Sequence, residues 1–145
     1  MKKVVTGAHV VDWVAKRTDE YGNYGAAVGI GLEQDNSLIA GVVFNDYNGA
    51  NICMHVASDN SKRWMTKEYL WFVFYYAFEQ AKVKRITGLV PESNYEAIKF
   101  DTHIGFSEET RLKDAHPDGD LIVFVMRKES CRWLRRNKYE QKLAA

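Results

Sequence analysis

The sequence predicts a single domain of the α/β class, an α+β arrangement in which helices flank a mixed, mostly antiparallel sheet. Three observations carry this. Residues 26–34, 38–45 and 51–57 are β-rich runs separated only by short turns, as consecutive antiparallel strands are. Residues 65–81 and 94–103 have helical patterns on either side of a strand at 85–90, an order that requires a parallel step near the middle of the sheet. Finally, 145 residues with 46% hydrophobic content fit one continuous core over residues 1–145, with no linker.

The elements follow in order. Val10, Val11, Trp13 and Val14 cluster on one side of a helical pattern over about residues 8–19, which Gly22, Asn23 and Gly25 end. Asp35, Asn36 and Ser37 suit a tight reversal between the first two strands, and Asp46-Tyr47-Asn48-Gly49 supplies the next turn. In the strand at 51–57, alternation puts Ile52, Met54 and Val56 on one face and Asn51, Cys53, His55 and Ala57 on the other. Tyr69, Leu70, Val73, Phe74, Ala77 and Phe78 nearly encircle the helix at 65–81, so it is expected to be buried. Pro91 stops the strand at 85–90. Strands at 106–112 and 121–126 form a hairpin across residues 115–120, and a basic terminal helix is expected at about 128–143. Trp13, Trp71 and Trp133 lie in helical patterns with apolar neighbours and read as packing residues.

A net charge of +1 excludes a wholly basic nucleic-acid binder, but the charge is uneven. From Arg127 onward seven Lys/Arg stand against two Asp/Glu, giving +5, which leaves −4 for residues 1–126. That tail is either a solvated helix or a contact for phosphates, so nucleic acid is a candidate partner. Cys53 and Cys131 are far apart and lack metal-ligand spacing, which fits a reducing cytoplasm. The longest apolar run, residues 69–78, is about half a bilayer span, so a soluble protein with no membrane contact is expected, as monomer or homodimer.

The stretch from Ser93 to Phe106 opens a helix on Asn94-Tyr95-Glu96-Ala97 and closes it on Gly105-Phe106. It resembles the matching segment of the GNAT superfamily of acetyl-CoA-dependent N-acyltransferases, and the element order is similar over nearly the whole chain. The resemblance implies two central strands that splay apart, acetyl-CoA in the cleft between them, and direct transfer of acetyl to a small-molecule or protein amine. Residues 129–136, with 116–121, look like a branch of GNAT-like proteins frequently encoded by bacteriophages.

The resemblance also implies site residues. The family's loop before the central helix reads Q/R-x-x-G-x-G/A, because glycines let backbone N–H groups approach a pyrophosphate at a helix N-terminus. Here Ser61 takes the first position, and Trp64 and Thr66 stand where glycines belong. Lys62, Arg63 and Lys67 supply charge instead. Val56, Ala57, Lys62, Arg63, Trp64, Met65, Thr66 and Asn94 are therefore the implied cofactor-binding residues, with Thr66 and Asn94 equally suited to capping helices. His55 is either the base that takes the amine proton or a half-buried histidine bonded to a neighbouring strand. Asp101 falls where many members carry a tyrosine that protonates the leaving thiolate. An ordinary aspartate is ionised and cannot donate, so this role demands a raised pKa; otherwise Asp101 is an exposed helix residue. His103 either faces the cleft or neutralises the helix C-terminus.

Asp114, His116 and Asp120 sit by the last hairpin turn, where the resemblance places the acceptor, and are candidates for binding a cationic substrate. Their spacing superficially matches a calcium loop, but its twelfth position is Val125 rather than glutamate. Loss of the loop glycines and of the tyrosine keeps a rival open, a non-catalytic phage-type binding or virion protein on the same fold. A second rival is modification of a nucleic-acid base.

Overall fold

The order of the sheet, β1-β2-β3-β4-β5-β7-β6, follows the chain except at its last hairpin. The computed structural model describes residues 1–18, 23–61 and 63–134. The strands are β1 (Lys2–Thr6), β2 (Ala27–Gln34), β3 (Ser37–Asn45), β4 (Asn51–Ser58), β5 (Arg85–Pro91), β6 (Ser107–His116) and β7 (Gly119–Arg127). The helices are α1 (Ala8–Ala15), α2 (Lys67–Tyr75) and α3 (Tyr95–Ile104).

All neighbouring strands are antiparallel except β4 and β5, which run parallel. That pair holds register only at Asn51↔Arg85, Ile52↔Ile86 and Cys53↔Thr87. Beyond it β4 continues against β3 as far as Ser58, while β5 continues against β7 as far as Pro91. The two central strands therefore part after Cys53 and Thr87, opening the sheet toward their C-terminal ends.

The two faces of the sheet carry different layers. Ile52 and Met54 of β4, Ile86 and Val90 of β5, and Ile122, Phe124 and Met126 of β7 share one core with α2, Ile104 and Phe106. On the other face α1 brings Val10, Val14 and Ala15 against Val43 and Tyr24. Close approach of α1 explains Gly41, since a Cβ there would lie 2.6 Å from Val14 Cγ2, inside van der Waals contact. Within α2 the buried Tyr69 hydroxyl donates to the Ile30 carbonyl at 2.7 Å, tying the helix to the sheet across its core.

Several boundaries differ from the sequence expectation. An N-terminal strand, β1, pairs Lys2 to Gln34 and Thr6 to Ile30 and was not expected, because its lysines are exposed on an edge. The first helix is shorter than 8–19, ending at Ala15 among the described residues. The central helix begins at Lys67 and gives way at Tyr76–Gln80 to a π-helical turn, where Ala81 N–H donates to Tyr76 O. β5 ends at Pro91, one residue later than expected, where Pro91 pairs with Leu121 and a missing N–H is tolerated. The last hairpin is longer than expected on both strands and turns between His116 and Gly119. In place of the start of a helix at 128, two 3-10 turns occur at Lys128–Ser130 and Arg132–Leu134; residues 135–143 of the expected helix lie outside the described residues.

Candidate active site

Both candidate catalytic side chains sit where β4 leaves β5, on opposite faces of the sheet. His55 lies two residues beyond the last paired position of β4, on the face that carries α1. Its Nε2 is 2.9 Å from Asn45 Oδ1. Asn45 is 6% exposed and its amide donates to the Tyr24 carbonyl at 3.2 Å, so its oxygen faces His55 and accepts a hydrogen carried on Nε2. The Tyr24 ring packs against the imidazole with centroids 4.6 Å apart. The structure shows the second of the two sequence readings, a half-buried histidine bonded to a neighbouring strand, just past the point where β4 leaves β5.

Asp101 projects from α3 on the other face. It is 9% exposed, so the exposed-residue alternative is corrected: the helix turns Asp101 inward on the same side as the buried Ile104. A Cβ added to Gly88 would stand 3.4 Å from Asp101 Oδ2, which places the carboxyl against the first residue of β5 past the parallel pairing. Burial pushes its pKa up from the ordinary carboxylate value to about 7. Near neutrality Asp101 therefore exists in both forms, and the protonated form can donate. The demand that the sequence placed on this residue, a raised pKa, is met by desolvation.

The loop between β4 and α2 has its own closed network. Thr66 caps α2 by accepting from Tyr69 N–H at 3.1 Å, and Leu70 N–H donates to Thr66 O. Trp64, standing where a glycine was expected, is 5% exposed and spans the gap between α2 and α3, with ring centroids 6.4 Å from Tyr69 and 5.0 Å from Phe100. Met65 packs partly buried against the same core. Arg63 donates to Asp59 Oδ2 at 3.0 Å and to Ser61 Oγ at 3.2 Å, while its carbonyl accepts from Lys2 Nζ at 2.6 Å. Lys62 lies outside the described residues. Val56 and Ala57 are on the stretch of β4 that has left β5.

Asn94 caps α3, its Oδ1 accepting from Ala97 N–H at 3.2 Å. His103 ends the same helix, and its carbonyl accepts from Arg132 at 2.6 Å, while Trp133 Nε1 donates to Ile104 O at 2.7 Å. A basic residue beyond β7 thereby neutralises this helix C-terminus from outside, which spacing along the chain does not reveal. The remaining candidates hold the last hairpin together. Asp120 Oδ1 accepts from Asp114 N–H at 3.0 Å, and His116 Nδ1 accepts from Asp118 N–H at 3.1 Å. Glu92, which the sequence reading missed, joins them by accepting from Asp120 N–H at 2.8 Å. Among the described residues no group of His, Cys, Asp and Glu side chains converges to hold a metal ion.

No family model matches the chain, and no curated protein does. Solved structures do match. Mutant forms of the spermidine/spermine N-acetyltransferase SpeG from Vibrio cholerae superpose with a TM-score of 0.72 at 12% identity, covering 95% of this chain and 100% of theirs. The spermidine N-acetyltransferase of Vibrio cholerae in complex with CoA and spermine gives a TM-score of 0.70 at 11% identity over 92% of this chain and 98% of that one. The Campylobacter jejuni N-acetyltransferase PseH gives 0.59 at 17% identity over 88% and 99%. At these identities the likeness is one of fold, and the fold is the GNAT-like mixed sheet with its central splay.

Proposed function

We propose that this chain is an N-acyltransferase that moves acetyl from acetyl-CoA to an amine by direct attack, without an acyl-enzyme. The observation that carries the reading is Asp101, a buried carboxyl with its pKa raised to about 7, set against Gly88 where the central strands part. A carboxyl desolvated without a compensating partner is costly, and such groups concentrate at functional sites.

In the proposed reaction His55 takes the proton of the attacking amine, directly or through water, as the new N–C bond forms at the thioester carbonyl carbon. Asp101 gives its proton to the sulfur as the C–S bond breaks, leaving an amide and a free thiol, and both residues return to their starting forms by exchange with solvent. Their positions on opposite faces of the sheet suit this division, with the acceptor entering from one side and the leaving group on the other.

In this reading the pantetheine arm lies between the parted ends of β4 and β5. Strand edges freed by the splay, including Val56 and Ala57, offer backbone donors and acceptors to its amides, and the Asn94 amide group retains its own donors. The loop from Arg63 to Thr66, with Lys62, is where the phosphates would lie, and its fit is poorer because Asp59 and Trp64 occupy it. Asp114, His116, Asp120 and Glu92 form an acidic rim at the last hairpin suited to a cationic amine, small or protein-borne. Among the described residues no helix is long and apolar enough to cross a membrane, and both cysteines are free thiols; a cytoplasmic setting accords with both.

The test is release of free thiol from acetyl-CoA over an amine panel, with binding followed by calorimetry. Turnover with one class of amine, lost in His55→Ala and reduced about a hundredfold in Asp101→Asn, is expected. A second reading rests on Trp64, which closes the gap where a glycine was expected: a partner-binding protein, of phage or virion type, that kept the fold and lost the chemistry. Absence of binding at millimolar acetyl-CoA and of turnover with every amine would decide for it. A role in modifying nucleic-acid bases leans on the basic tail, most of which lies beyond the described residues.

A further inference from the structure

We infer that this site recognises its acyl donor by the thioester and pantetheine arm rather than by the phosphates, because Asp59 already fills the anion-binding loop before α2. The inference rests on the acyl-transfer reading above and specifies the donor class that site takes.

Three donors of the loop are committed to the protein's own carboxylate. Asp59 Oδ1 accepts from Ser61 N–H at 3.0 Å and from Ser61 Oγ at 2.6 Å, and Oδ2 accepts from the Arg63 guanidinium at 3.0 Å. One backbone N–H, one hydroxyl and one guanidinium in a short arc before a helix are what a phosphate would require. Neighbouring groups are committed as well: Asn60 N–H donates to Ser58 Oγ at 3.1 Å, Asp59 N–H to Ile39 O at 2.8 Å, and Thr66 N–H to Trp64 O at 2.8 Å. The hydrogen bond from Ser61 holds the Asp59 carboxyl below its usual range, so it stays ionised at neutral pH. An incoming diphosphate would lose these donors to Asp59 and face its charge.

Shape acts in the same direction. Trp64, clasped between Tyr69 and Phe100, closes the passage between α2 and α3 beside that loop. Gly88 and Asp101, where the two strands part, lie outside the Asp59 network and share no hydrogen bond with it. A donor held chiefly by its arm and thioester would not need the donors that Asp59 occupies.

Calorimetric titration of the full chain with CoA and with pantetheine, which shares the arm and lacks every phosphate, tests the inference. Wild-type protein is expected to bind the two within about threefold of each other, and Asp59→Asn is expected to tighten CoA by about tenfold while leaving pantetheine unchanged. Asp59→Ser serves as the second variant should the asparagine collapse onto Arg63, with thermal melts to show that each is folded. Wild-type CoA binding about a hundredfold tighter than pantetheine, or CoA binding indifferent to both substitutions, overturns the inference and leaves acyl transfer standing. Failure of wild type and both variants to bind either compound overturns the inference and the acyl-transfer reading together.

Discussion

The two ends of the cleft have been treated in opposite ways. At the splay, a carboxyl is buried against Gly88 with its pKa raised by desolvation. At the loop, another carboxylate is surrounded by a hydroxyl, a backbone N–H and a guanidinium, and an indole fills the space beside it. The first arrangement costs stability and suits chemistry; the second gains stability and opposes a ligand. On the proposed reading, the contrast teaches that anchoring a donor and activating its leaving group are separable on one fold.

Substitutions at the two ends should therefore change stability with opposite sign. The largest effect belongs to the loop end, where Trp64→Ala leaves a cavity between α2 and α3 and is expected to destabilise by about 3–5 kcal/mol in denaturant unfolding. A loss below about 1 kcal/mol would break the comparison by showing that the indole is not structural.

Asp101→Asn is expected to stabilise at high pH. The folded pKa lies above the unfolded value, so the native state holds its proton more tightly, and stability falls as pH rises from about 4 to about 7. Over that window wild type should lose roughly 4 kcal/mol relative to the asparagine variant, and the gap should be constant above it. Unfolding curves for both proteins at pH 4 and pH 8 measure the difference, and parallel behaviour would mean that Asp101 is not desolvated. The smallest effect is Thr66→Ala, which removes the α2 cap and should cost about 1 kcal/mol by the same measurement.

Legibility in the sequence followed the range of the interactions. The hairpins, the apolar central helix and the parallel step were readable because turn residues and periodicity are local, as at Asp35 and Asn36, both of which adopt positive φ. β1 was missed because five residues with two exposed lysines carry no pattern of their own and gain meaning only from pairing with β2. β6 was cut short for a related reason: beyond Leu112 its residues are charged or small, on an edge exposed almost throughout.

Within the candidate site, position nominated His55 and Asp101, but their surroundings were not legible. The raised pKa of Asp101 depends on packing against Gly88, and the orientation of His55 depends on Asn45 and Tyr24, which reach it from other segments. The loop misled in a different way. Missing glycines signalled a departure, whereas the neighbouring Asp59 carried its consequence, and only the hydrogen bonds around it reveal a carboxylate where a phosphate was expected.

The pH dependence of acetyl transfer to whichever amine the panel identifies, in wild type and Asp101→Asn, tests the central claim most directly. The donating form of Asp101 is the protonated one, so wild-type turnover is expected to decline as pH rises through about 7. Asp101→Asn should be slower by about a hundredfold and should lack that decline. Equal rates in the two proteins, or the same decline in both, would contradict the assignment of Asp101 as the acid.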